Sequence, residues 1–291
     1  MNHPKTKVYF DGSHYIGIPH KKQPWKQKKN GRKTKSKMQE RIKEIYNSCE
    51  EKSKKEKIEK TIEEINKEIK NVEKASELVK HTIEKENRNR IVRLTRLSRK
   101  VGLQQWTHFC TFTYDSNKIT EEEFRTKFLN CLRHLSHRKG WKYIGVFERS
   151  PQMKRLHFHG IFVITEMIGE LIQTKDYSTK THQMQIANQN TYFLKRFGRN
   201  DFKQIENNAG ITEAVQYLLK YIRKTSEKVI YSKHLQTYFV TDILKDDVVC
   251  TIGQEDRKLL LFDNFTCLDF ETGEVFGNVS QEIIDKMPKA Y

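Results

Sequence analysis

The stretch Leu156-His157-Phe158-His159-Gly160-Ile161-Phe162-Val163-Ile164 sets two imidazoles two residues apart in a β-prone apolar run. Such a run is predicted to be a strand. Side chains alternate along a strand, so His157 and His159 face one way and Phe158, Gly160 and Phe162 the other. Two imidazoles on one face can share a metal ion, while the opposite face reads as core. Glu148 closes the preceding β-prone run, Tyr143–Glu148, and the Ser150-Pro151-Gln152 turn can return the chain so that this carboxylate sits beside the histidines. Two imidazoles and a carboxylate, with positions left open, suit Mn²⁺ or Mg²⁺ engaging a phosphate oxygen, and zinc would accept the same set. Taken alone, an HxH pair is more often structural, and a strand-end acid beside Arg149 more often a surface residue.

A second group is Tyr217-Leu218-Leu219-Lys220-Tyr221-Ile222-Arg223-Lys224. At helical spacing Tyr217 and Tyr221 share a face, with Lys224 three residues beyond and apolar residues on the other side. A phenol with a pKa of ~10 attacks phosphate poorly while protonated. Nearby lysines offset that, and the resulting nucleophile gives a covalent phosphotyrosine. The plain alternative is two rings packed at the edge of a core helix.

The bulk composition agrees with a polyanionic partner. The 291 residues carry 55 Lys and Arg against 37 Asp and Glu, a net charge of +18, which favours nucleic acid. The five cysteines are scattered with no CxxC, which argues against a disulfide framework and a cysteine zinc site. No apolar run approaches the ~18 residues of a membrane span, and no apolar leader opens the chain. The expectation is a soluble protein of the bacterial cytoplasm, or of the nucleus in a eukaryote, with no membrane partner.

Taken together, three motifs resemble those of the HUH endonuclease superfamily, and within it the rolling-circle replication initiators. Phe109-Cys110-Thr111-Phe112-Thr113-Tyr114 is similar to the family's first strand motif, His157-Phe158-His159 to its His-hydrophobic-His motif, and Tyr217 to Lys224 to its doubled YxxKYxxK form. The resemblance covers roughly residues 105–225. It implies an ion held by His157, His159 and Glu148 on the scissile phosphate of single-stranded origin DNA. It further implies attack by Tyr217 or Tyr221, a 5′-phosphotyrosine link, and a freed 3′-OH that primes a host polymerase. Lys220 and Lys224 would position phosphate or lower the tyrosine pKa. No GxxxxGK[ST] occurs, so unwinding falls to a host helicase or to supercoiling. Relaxases and single-strand transposases of the same superfamily are alternatives. The former generally show three histidines, and the latter are usually shorter with one tyrosine. A non-catalytic, RRM-like nucleic-acid-binding protein explains the charge but not the co-occurrence of the motifs. A zinc-dependent hydrolase would need a further ligand or base.

The elements that must position these residues follow from pattern. A basic flexible arm is expected over 1–37, with a small strand and turn at Val8–Gly12. Residues 38–101 should be helical, as a hairpin or a coiled coil. Ile58, Ile62, Ile65, Ile69, Val72, Val79 and Ile83 form one heptad seam, and pairing of two copies through these helices is one way to bury it. Arg88, Arg93, Arg96, Arg99 and Lys100 then make a basic amphipathic stretch suited to a DNA backbone, with Lys154 and Arg155 a second basic point near the histidines. Over 102–226 the predicted order is strand 107–114, a helix capped by Thr120 and Glu123, strands 143–148 and 156–165, an inserted loop 173–189, a short strand near 202–205 and a helix over 212–224. That order points to an α+β, ferredoxin-like or RRM-like antiparallel sheet with both helices on one face. Residues 227–291 should form an accessory segment containing strands.

Overall fold

The computed structural model describes residues 3–20, 36–50, 53–150, 155–178, 182–206, 214–215, 218, 228–252 and 258–290. The chain divides into two compact units, Lys21–Leu97 and Met1–His20 with Ser98–Tyr291.

The smaller unit is built on α1 (Lys37–Ser48), α2 (Lys54–Ile69) and α3 (Val72–Gly102), of which the residues from Ser98 on belong to the larger unit. Ile42, Ile65, Ala75, Val79 and Ile83 are buried together, with Ile58, Ile62 and Ile69 packed against them. The seam is thus buried within the chain except at Val72, which is exposed. It does not run through one helix, however. Lys70 adopts a left-handed conformation (φ 55°), donating its N–H to the Asn66 carbonyl at 2.8 Å. Asn71 then accepts from the Lys74 N–H at 2.9 Å and starts α3. The expectation of an unbroken heptad across this point fails because a left-handed Lys70 ends α2 and an Asn71 cap starts α3, without Gly or Pro.

In the larger unit the chain order is β1 (His3–Phe10), β2 (Tyr15–Ile18), β3 (His108–Thr113), α4 (Glu121–Lys139), β4 (Lys142–Arg149), β5 (Leu156–Val163), β6 (Leu171–Ser178), β7 (Gln183–Asn190), α5 (Thr191–Arg196), β8 (Asn200–Gln204), β9 (Ile230–Tyr231), β10 (Tyr238–Ile243), β11 (Val248–Ile252), β12 (Lys258–Leu261), β13 (Thr266–Leu268), β14 (Val275–Asn278), α6 (Gln281–Lys286) and β15 (Lys289–Ala290). Mixed helix and antiparallel sheet make the class α+β.

One sheet has the order β11-β12-β2-β1-β10-β13-β14, with β15 on β10. Its core holds Val8, Phe239, Leu259, Phe265 and Ile284. Residues 3–18, counted on sequence within a basic arm, are therefore two paired strands between β10 and β12. The lysines of β1 hid its alternation: Thr6 and Val8 are buried, with the exposed Lys5 before them and the half-buried Lys7 between them. The basic run of residues 21–35 lies outside the described residues. Of residues 173–189, read on sequence as a loop, 173–178 and 183–189 are paired strands, in β6 and β7. Of their outward side chains, Tyr177, Met184 and Ile186 are exposed, so burial left no alternating signature to read.

The second sheet positions the candidate chemistry. It is wholly antiparallel, with the order β8-β3-β5-β4-β9. Its Phe112, Phe158, Phe162 and Phe202 point to one side, where α4 and α5 supply Phe124, Phe128, Phe193 and Phe197. Phe112 lies 4.7 Å from Phe128 and 4.9 Å from Phe193 between ring centroids. Each ring removed from water contributes about 1.5–3 kcal/mol, and the tilted and edge-on contacts add to that. Where β4 meets β5, Gly145 is paired with Gly160. A Cβ at Gly145 would overlap the Phe158 ring and sit 2.6 Å from the His159 carbonyl oxygen. The glycine is the space in which Phe158 lies.

Gly145→Ala should therefore lower the melting temperature, by the about 1–3 kcal/mol typical of an overfilled core. Thermal unfolding followed by circular dichroism checks this, and an unchanged midpoint would mean β4 can shift at no cost.

α4 begins with a full capping box. The Thr120 hydroxyl accepts from the Glu123 N–H at 3.3 Å, and the Thr120 N–H donates to Glu123 at 3.1 Å. Hydrogen bonds from Lys127 and Thr120 hold the Glu123 carboxyl down at about 2. A carboxyl that is more acidic folded than unfolded stabilises the fold above its unfolded value of about 4.3, and that stabilisation is lost as pH falls towards 2. Glu123→Gln should lower the melting temperature at pH 7, and the gap to the parent should close between pH 4 and pH 2. A gap constant over that range would remove the carboxylate from the cap.

Candidate functional site

The face of the five-stranded sheet turned away from its phenylalanines carries the polar side chains. Register across β3 and β5 pairs Thr113 with His157 and Thr111 with His159. Across β5 and β4 it pairs His157 with Glu148 and His159 with Val146. On the far edge Asp201 of β8 is opposite Thr111, and the Thr113 N–H donates to the Arg199 carbonyl at 2.8 Å. Paired residues point to the same side, so one face holds His157, His159, Glu148, Thr111, Thr113 and Asp201.

The two threonines anchor the imidazoles. Thr113 Oγ1 is 2.7 Å from His157 Nδ1, and Thr111 Oγ1 is 3.0 Å from His159 Nδ1. Both Nδ1 atoms are thus engaged on the β3 side, and both Nε2 atoms remain for other partners. His159 Nε2 lies 3.1 Å from Glu148 Oε2. A hydroxyl can donate or accept, so each threonine serves either tautomer of its imidazole. The His157 and His159 rings stack with centroids 5.9 Å apart, and Phe109 stacks on His159 at 6.4 Å.

Electrostatics favour neutral nitrogen donors. Burial, chiefly, and the neighbouring His159 press the His157 pKa down to about 4 against the opposing pull of Glu148. At pH 7 His157 is therefore uncharged, with a lone pair to offer. His159 is almost wholly buried, at 8% exposure.

The donor chemistry, two imidazoles and a carboxylate, is that of a site for a hard or borderline divalent cation. The donors stand close without enclosing such an ion: among the described residues no group of three or more His, Cys, Asp and Glu side chains is arranged to hold one. The His159–Glu148 contact itself occupies the space between two of the three. The pair fits a metal through its anchored histidines, whose Nδ1 partners are the second layer that ligating imidazoles ordinarily have, and it needs Glu148 to turn from His159 to the ion.

The other residues singled out on sequence fall as follows. Tyr217, Lys220, Tyr221, Lys224 and Lys154 lie outside the described residues. Ala214, Val215 and Leu218 are helical, with Ala214 and Leu218 buried. Arg155 is exposed, and its N–H donates to the Ser150 hydroxyl at 3.2 Å, closing the β4–β5 turn. In the smaller unit Arg88, Arg93 and Arg96 are exposed along α3, with Arg93 3.9 Å from Glu86. Arg99 and Lys100 are engaged within the larger unit. Their cations lie 4.0 Å from the Tyr9 ring and 4.1 Å from the Tyr231 ring, and burial lowers the pKa of Lys100.

Sequence reasoning assigned no role to Thr111, Thr113, Arg199 or Asp201. The threonines were visible as the alternate positions of the FCTFTY strand, but only register shows that they meet the histidines. Arg199 forms an ion pair with Asp176 of β6, a partner supplied by the hairpin that was read as a loop.

Among the described residues no helix is long and apolar enough to cross a membrane. No curated protein and no solved structure matches the chain. Residues 107–226 match the model of a family described as replication-associated protein ORF2. The matched interval takes in β3 to β8 and so the whole histidine face, and this part of the chain is similar to replication-associated proteins.

Proposed function

We propose that the protein is a nicking and joining enzyme of the HUH type that initiates rolling-circle replication of a phage, plasmid or mobile element. One observation carries this reading: register brings His157, His159 and Glu148 to one sheet face with both imidazoles anchored through Nδ1 by the threonines of β3. The strand order β8-β3-β5-β4, with α4 and α5 on the opposite face, supports a ferredoxin-like core of this type. The match of residues 107–226 to replication-associated proteins supports the setting.

In this reading single-stranded origin DNA lies on the histidine face. Mn²⁺ or Mg²⁺ held by His157, His159 and Glu148 would supply positive charge beside the scissile phosphate. The Tyr217 or Tyr221 hydroxyl loses its proton, and its oxygen bonds to phosphorus as the bond to the 3′ oxygen breaks. That oxygen takes up a proton and leaves as a 3′-OH, and the 5′ side stays linked to tyrosine. Lys220 and Lys224 favour the phenolate and orient the phosphate. Two tyrosines permit a second cut while the first link persists, after which the free 3′-OH closes the circle. Thr111 and Thr113 hold the imidazoles with Nε2 outward, and burial keeps His157 neutral. The freed 3′-OH primes a host polymerase, and a host helicase or supercoiling opens the duplex.

Labelled single-stranded DNA from the protein's own genetic neighbourhood, incubated with protein and Mn²⁺, should yield an adduct that survives SDS. EDTA should abolish it, as should the double variant Tyr217→Phe with Tyr221→Phe. Tight binding with no adduct under any metal would leave a non-catalytic nucleic-acid-binding protein instead.

Thr113→Val keeps the strand-prone shape and removes the His157 partner. It should weaken Mn²⁺ binding by about 10–100-fold, the usual cost of losing such a support, while the melting temperature of the metal-free protein changes little. Calorimetric titration with Mn²⁺ reads the first quantity, and an affinity equal to the parent's would strip the threonines of this role.

A further inference from the structure

On the helical side of the five-stranded sheet, away from the histidines, α4 and α5 border a groove of about 550 Å³. Its charged and aromatic lining includes Lys118, Lys127, His134, Arg138, Arg196 and Tyr192, and among the described residues no Asp or Glu lines it. The basic groups come from three places in the chain. Lys118 precedes α4, Arg196 ends α5, and Lys127, His134 and Arg138 recur along α4 at spacings of seven and four, which is one stripe of a helix. An adjoining stripe of α4, about a quarter-turn round the helix, carries Phe124, Phe128 and Leu132, all fully buried against the sheet. The basic stripe is thus turned aside from the core by the same packing that fixes the core.

The cations are only partly neutralised. Lys127 pairs with Glu123 at 2.9 Å and Lys118 with Asp115 at 3.7 Å, both acids lying outside the lining. Arg196 donates to the Tyr192 hydroxyl at 2.5 Å and stacks over the Tyr192 and Phe197 rings. That holds the guanidinium plane in place without cancelling its charge. An Arg so ordered, with lysines at the margin, makes a cradle for the phosphate groups of a backbone.

We infer that this groove binds the sugar-phosphate backbone of DNA, as a second contact on the side of the sheet opposite the nicking face. A strand on the histidine face cannot reach it without passing round the sheet, so the groove takes a separate segment, such as duplex beside the nick. The choice of DNA rather than another polyanion rests on the proposed function. The site itself does not depend on the tyrosine chemistry.

The test is duplex binding by the full-length protein in EDTA, where nicking does not contribute, measured by fluorescence anisotropy over a range of salt. Lys127→Ala with Arg138→Ala keeps helix-forming residues at both positions. It should weaken binding and lower the slope of log affinity against log salt by about two, since each phosphate contact contributes about 0.9. An unchanged slope and affinity overturn the inference. So does an equal fall in a Lys233→Ala with Lys245→Ala variant, two exposed lysines remote in sequence, because the effect would then be net charge alone. Inorganic phosphate binding that is lost in the groove variant while the duplex slope stays unchanged also overturns it, and makes the groove a small-anion site.

Discussion

The pairing of β3 with β5 is the constraint on which the rest depends. Thr113 opposite His157, Phe112 opposite Phe158 and Thr111 opposite His159 alternate between the two faces of the sheet. A slip of one residue would turn every side chain of one strand over. It would drive two imidazoles into the phenylalanine core and leave Phe158 in water. The aromatic cluster under α4 and α5 therefore does more than stabilise: its preference for Phe112 and Phe158 on one side is what holds the histidines and threonines on the other. Gly145 and Gly160 belong to the same constraint: the Phe158 ring occupies the volume a side chain at Gly145 would take, and a Cβ at Gly160 would press on the Ile144 carbonyl and the Phe162 and Phe158 rings.

Burial at this site acts through chemistry as well as packing. An imidazole removed from water resists protonation, which is why His157 stays neutral. A neutral ring still has one N–H and one lone pair to satisfy, and leaving either unmet in a buried place costs about 1–3 kcal/mol. The threonine hydroxyls meet the Nδ1 side whichever tautomer is present. Glu148 meets Nε2 of His159. Both Nδ1 atoms and His159 Nε2 are thus given partners, and the two Nδ1 contacts do not involve Glu148.

Much of this was legible in the sequence. β3, β4 and β5 show themselves as short β-prone runs, apolar because β4 and β5 are buried on both faces over most of their length, and α4 announces itself by Thr120, Glu123 and an apolar stripe. HxH on such a strand dictates a shared face regardless of context. What sequence could not give was register, so the partnership of Thr111 and Thr113 with the histidines was out of reach. Elements with little burial were also hidden. The β6–β7 hairpin exposes its apolar side chains, and β1 interleaves lysines with its buried Thr6 and Val8. The break at Lys70 was missed for another reason. The isoleucine spacing is kept on both sides of it, and only Asn71 in a capping role distinguishes two helices from one.

The same logic separates what the sheet does from what the charge does. The histidine face depends on a few atoms held to within a hydrogen bond, so its imidazoles sit on β5, which is paired with a neighbour on both sides. The cations do not need that accuracy. Attraction to a polyanion falls off over roughly a Debye length, about 10 Å at 0.1 M salt, so lysines and arginines on helix surfaces and at strand ends serve without fixed positions. Under the proposed function, a chain with a charge of +18 can scatter its basic residues through both units and still draw in nucleic acid, while the histidine face needs only a handful of fixed side chains. Arg99 and Lys100 mark where the two demands meet. Stacked on Tyr9 and Tyr231, they have traded reach for packing, and their charge is felt as a field more than as a contact.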